Sequence, residues 1–140
     1  MNIKPISQGN NKYCGPAVIS AVTGISTDEA EQTINAVRNR DLSRSVTGVY
    51  QHELNLAFES LGWKVHHIPR TAGRSIFLLM MTMNVDGVYV FYLHTHVVVI
   101  EIKGNKRYII DNHTKSPLNL SNSARLGQKV LGVVKLERNL

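Results

Sequence analysis

Hydrophobic and polar positions divide the chain into two stretches of different period. Up to Gly62 the apolar residues recur at helical spacing, and from Trp63 onward they alternate or run together as strands do. Ala17, Val18, Ile19, Ala21 and Val22 are apolar nearly all round, the pattern of a helix buried on every side. This helix opens at Cys14-Gly15-Pro16, where a proline suits a first turn whose N–H groups lack intrahelical partners, and Gly24 closes it. A second begins at Ser26 or Thr27, with Ser26 and Glu29 in capping-box spacing and Ala30, Ile34 and Val37 along one face. Arg38 to Arg44 reads as polar loop. A third helix is predicted over 48–61, with Leu54, Ala57, Phe58 and Leu61 as its stripe.

Past Gly62, residues 63–68 form a short strand ended by Pro69. Residues 76–83 are ambiguous by period. Met and Leu outnumber β-branched residues there, which favours a short helix capped by Ser75, with Leu78-Leu79-Met80-Met81 as core. Strands follow over 88–93, 96–102, 106–111 and 130–136, rich in Val, Ile and Tyr. Lys103-Gly104-Asn105-Lys106 reads as a tight hairpin turn. Helices first and an antiparallel sheet second make an α+β domain. At 140 residues the chain fills one domain, mainly helical over 1–62 and mainly β over 63–140.

Composition adds exclusions. No apolar run reaches the roughly 18 residues a spanning helix needs. MNIKPISQGN lacks the apolar core of a secretory signal. One cysteine, Cys14, leaves no internal disulfide and points to a reducing, cytoplasmic setting. The net charge of +6 invites a nucleic-acid reading, but the Lys and Arg residues are scattered and no aromatic pattern accompanies them, so a solvated basic surface is the better account.

Candidate chemistry begins at Cys14. A helix N-terminus carries roughly half a positive charge, which favours thiolate over thiol, although most free cysteines are simply buried. A thiolate nucleophile needs a base that can also protonate the leaving group, and histidine is the usual choice near neutral pH. His96 opens the strand Val97-Val98-Val99-Ile100. If residue 103 pairs with 106, then 98 lies opposite 111, and Asp111 becomes a same-face diagonal neighbour of His96. One residue of slippage would present Asn112 instead, and His94 shares the face of His96 as a competing base. Gln8 stands six residues before Cys14 in a polar loop, where its amide could serve an oxyanion. His94, His96 and His113 could also be read as a metal cluster, but a His-x-His in a strand is more often incidental. His66 and His67 point to opposite faces, and no glycine-rich phosphate loop exists. Neither metal nor cofactor is expected.

Gln8, the Cys14-Gly15-Pro16-Ala17 string on a buried helix, His96 opening a valine-rich strand, and Tyr108-Ile109-Ile110-Asp111 together resemble the papain-like cysteine peptidases. The nearest branch is the small peptidase domains that process bacteriocin leaders at double-glycine sites. Thr47-Gly48 and Leu61-Gly62-Trp63 extend the likeness over nearly the whole chain. The resemblance implies a papain-like fold with Cys14 as nucleophile, His96 as base, Asp111 orienting the histidine, and Gln8 in the oxyanion hole. It also implies a peptide or protein substrate. Two departures stand out: Asn112 follows Asp111 where the family commonly has proline, and His94-Thr95-His96 offers two histidines for one. A rival reading keeps the fold without the chemistry, as a silent binding or assembly module whose basic surface contacts nucleic acid.

Overall fold

A computed structural model describes residues 2–6, 13–114 and 116–138. Three helices come first: α1 (Cys14–Thr23), α2 (Thr27–Val37) and α3 (Gln51–Ser60). They are followed by β1 (Trp63–Ile68), α4 (Ile76–Thr82), β2 (Gly87–Leu93), β3 (His96–Lys103), β4 (Lys106–Ile110), β5 (Leu118–Asn119) and β6 (Val130–Arg138), with one 3₁₀ turn over Leu120–Asn122. The strands form one antiparallel sheet in the order β1-β6-β2-β3-β4-β5. The α+β reading holds, and so do the caps. Ser26 accepts from the Glu29 N–H and Ser75 from that of Leu78, while Gly24 ends α1 in the left-handed conformation at φ 86°.

Both faces of the sheet are covered. Val88, Val90, Val97, Val99 and Ile110 pack against α1, α2 and α3, among Val18, Ile19, Ile34, Leu54 and Phe58. Phe91, Val98, Ile100 and Ile109 face the other way, against Ile76, Leu79 and Leu120. A strand buried on both faces has no polar side to show, hence the continuous apolar runs of β2 and β3. Helix α1, buried from Gly15 to Val22, sits directly on β3 and so brings its first residue to the sheet.

Two expectations need correction. Helix α3 starts at Gln51 rather than 48. Tyr50 is extended, and its N–H donates to the Glu53 carboxylate at 3.0 Å. Arg38 does open the polar loop, and its nearly buried side chain grips Glu53 with Nε and Nη2 (3.0 and 2.9 Å) and donates to the Gly48 carbonyl, so 48–50 become a pinned wall. Helix α4 is not all core: Leu79 is buried, but Leu78 and Met81 are exposed, because the second layer covers only one side of a seven-residue helix. The short β5 and the turn after it lay in a polar stretch with no periodic signal.

One buried carboxylate fastens the chain start. Glu101 in β3 points to the helix side, where it accepts from the backbone N–H groups of Asn2 (2.7 and 2.8 Å) and Ile3 (3.1 Å), and Lys4 donates to the Ala21 carbonyl. Glu101→Ala would strip those amides of their acceptor, and a loss of about 1–3 kcal/mol is expected as a lower urea midpoint at unchanged slope. An unmoved midpoint would mean that water replaces the carboxylate at no cost.

Candidate active site

Cys14 is the first residue of α1, half-buried, with Tyr13 before it in extended conformation. His96 lines the same cleft, and the Cys14 sulfur is close enough to its imidazole to push the ring's pKa up. His96 owes its place to a two-residue turn: Leu93 pairs with His96, so His94 and Thr95 alone connect β2 to β3. Thr95 takes φ 59°, a left-handed conformation that costs a β-branched residue energy and is tolerated where the surroundings fix it. His94 stays exposed on this turn, and the ring that meets the thiol is His96.

The hairpin register decides the third member. Lys103 pairs with Lys106 and Val99 with Ile110, so Asp111 follows directly beyond the last pair, on the face of His96. Asp111 Oδ2 lies 2.9 Å from His96 Nε2, which leaves Nδ1 as the ring nitrogen toward Cys14. Asn112 is not the residue that meets the ring. Asp111 is only 1% exposed, and its geometry is set locally: Oδ1 accepts from the N–H groups of His113 (2.8 Å) and Thr114 (3.1 Å), while the Asp111 N–H donates to Thr114 Oγ1. The His113 ring stacks on His96 at 5.6 Å between centroids. Among the described residues no three His, Cys, Asp or Glu side chains converge as metal ligands.

Sequence reading missed Arg125. Its Nε donates to Asp111 Oδ2 at 2.9 Å, the oxygen that also faces His96, and its Nη1 reaches Gln128. Nothing in the stretch after β5 has a period from which this reach could be read. Burial pushes the Asp111 carboxyl up, but the bonds from His96, His113 and Thr114 and the charge of Arg125 outweigh it and hold it at about 2. For His96, burial acts downward. The Asp111 bond and then the Cys14 sulfur act upward, Arg125 opposes them, and the ring settles at about 9. The site therefore keeps a protonated imidazole between an acidic carboxylate and a sulfur through neutral pH.

Cys14 and His96 open onto a cleft of about 690 Å³, with Gly48, Val49 and Tyr50 on one wall and Tyr92 and Leu131 on the other. Gly15 lets the first wall approach α1: a Cβ there would stand 2.5 Å from Val49 Cγ2. Leu131 reaches the cleft through a β-bulge. Tyr92 pairs with Gly132 and Leu93 with Val130, so Leu131 is the extra residue, turned outward and 53% exposed. Gln8, the expected oxyanion donor, lies outside the described residues.

No family model and no curated protein matches the sequence. Solved structures do. The peptidase domain of Streptococcus ComA, a bifunctional ABC transporter involved in quorum sensing, matches with a TM-score of 0.64 at 17% identity, over 97% of this chain and 98% of that one. A double-glycine-motif protease from an AMS/PCAT transporter, solved in complex with the leader peptide, matches at 0.61 and 14% identity, over 97% of this chain and 91% of that one. The peptidase domain of Streptococcus mutans ComA matches at 0.57 and 17%, over 96% and 98%. The chain thus has the mixed helix-and-sheet fold of these peptidase domains, as the resemblance implied. Among the described residues no helix is long and apolar enough to cross a membrane.

Proposed function

We propose that the chain is a cysteine peptidase or amide hydrolase acting through Cys14, His96 and Asp111. One observation carries the reading: a single imidazole is bonded to a buried carboxylate and stands beside a half-buried thiol that raises its pKa, at the wall of an open cleft. Three residues from two layers meet in the order that thiol-dependent acyl transfer requires. The fold shared with a double-glycine-motif protease solved in complex with a leader peptide supports a peptide substrate.

In this mechanism the Cys14 sulfur attacks the amide carbonyl carbon, and the carbonyl electrons move onto oxygen. The backbone N–H of Cys14, at the positive end of α1, and the Gln8 amide implied by the family resemblance would receive that charge. The C–N bond then breaks, the amine leaves with the His96 proton, and a thioester remains on Cys14. Water attacks the thioester, its proton passes to His96, and the acid departs. Asp111 holds the imidazole in line throughout and balances the imidazolium. A free thiol of this kind belongs in a reducing compartment such as the cytoplasm.

The test is a peptide electrophile carrying two glycines before its reactive group, since the AMS/PCAT structure is that of a double-glycine-motif protease. Mass spectrometry should find one adduct, on Cys14, in the native protein, and the matching amide peptide should be cleaved by the wild type and left intact by Cys14→Ala. Labelling that needs prior unfolding would make Cys14 an ordinary structural thiol and remove the proposal.

A further inference from the structure

The catalytic cleft does not end at Leu131. A second cavity of about 450 Å³ adjoins it, and Gln51 and Leu131 line both. Its other walls carry Arg70, Arg74 and His67, the buried Thr71, and the β6 residues Gly132 and Val133, with no Asp or Glu among them. The main cleft carries less positive charge: its one acid, Glu53, is held by Arg38, which leaves Arg40 as its remaining arginine. Neither Arg70 nor Arg74 has a side-chain hydrogen bond or ion pair among the described residues, so the two charges stay uncompensated at the rim.

Arg70 itself stands where an arginine is disfavoured. It follows Pro69 in the turn that closes β1, at φ 63°, a position that usually takes glycine or asparagine. The turn is fixed behind it by Thr71, which is buried and donates through Oγ1 to the Ile68 carbonyl. A charged residue kept in a strained turn position, on the lining of a cavity that shares Gln51 and Leu131 with the cleft, is a reason to look for a ligand.

We infer that this second cavity is a substrate subsite for an acidic side chain, so that the peptide cleaved at Cys14 is recognised through a Glu or Asp held between Arg70 and Arg74. Recognition lies away from the reacting bond, so it governs binding rather than the chemical step. With Cys14 as the nucleophile, as proposed above, the preference is readable in the rate at which peptides reach it.

The experiment uses the double-glycine electrophile with an N-terminal extension of about six residues, roughly 20 Å when extended. A single Glu replaces Gln at each position in turn, and labelling of Cys14 is followed with iodoacetamide in parallel. One position should show a gain of about threefold to tenfold in the second-order rate, through tighter binding at unchanged maximal rate. The gain should vanish in Arg70→Gln/Arg74→Gln and fade near 0.5 M salt, roughly where screening takes over, while iodoacetamide labelling of the variant matches wild type. Equal rates at every position, with iodoacetamide labelling intact, would overturn the subsite and leave the nucleophile standing. Failure of both reagents on native protein would take down the catalytic reading and the subsite with it. If a single-stranded oligonucleotide binds tightly at about 200 mM salt and loses that binding in the double variant, the arginines belong to nucleic acid and the subsite is refuted.

Discussion

Amide cleavage by His96→Ala is expected to run about a thousandfold to ten-thousandfold below wild type, the loss typical of a removed general acid–base. The same ring serves twice, keeping the thiol proton near Nδ1 and delivering it to the leaving amine, so its absence strikes attack and departure together. Alkylation of Cys14 near pH 6 should slow as well, because the imidazolium beside the sulfur is gone. His94→Ala is the informative control. That ring stays exposed on the turn, and its removal should leave rate and labelling within about twofold of wild type, the range of a surface change. A large loss in His94→Ala with little in His96→Ala would mean that the ring seen beside Cys14 is not the working base.

Asp111→Ala should damage activity and stability at once. The carboxylate faces His96 and Arg125 with the same oxygen and is almost wholly buried, so truncating it leaves two cations without their common partner. A loss on the order of 3 kcal/mol is expected for breaking such a cluster. Its pH window follows from the two shifts. The carboxyl is held down, so its contribution is present above its ordinary value of 3.8 and is lost as pH falls through about 2. The imidazole is raised, so its contribution is complete below its ordinary value of 6.5 and is lost as pH rises through about 9. The difference in unfolding free energy between wild type and Asp111→Ala should therefore be widest at pH 4–6.5 and narrow at both ends. Asp111→Asn separates the roles. It keeps the shape, removes the charge, and should draw the alkaline limb of activity from about 9 toward 6.5. An alkaline limb that stays in place would mean that Asp111 does not set the state of His96.

The hairpin that joins His96 to Asp111 was legible because its register depends on one turn. Gly104-Asn105 fixes the pairing of 103 with 106, and arithmetic along two strands then brings Asp111 to the ring. The helix that starts at Cys14 was legible from its proline and its all-round apolarity. Arg125 was not, since a side chain reaching back from an irregular segment leaves no period in the sequence. Leu131 was hidden for a related reason. A bulge shifts one residue between faces, and only the pairing of β2 with β6 reveals it. Arg38 was legible only as the start of a polar loop because its partner, Glu53, belongs to another helix, and such pairings depend on packing rather than spacing.

Gly15 and Val49 carry a consequence for how such a chain can drift. A methyl group at 15 and the Val49 side chain would compete for one volume, so neither position can be read alone. A larger residue at 15 becomes tolerable only once 49 has already lost atoms. Contraction at 49 first leaves an unfilled gap beside the nucleophile, which weakens packing without blocking it, whereas growth at 15 first meets a clash. History at this pair is thus directional: contraction of the loop side must come first, and the glycine is the last of the two to be released.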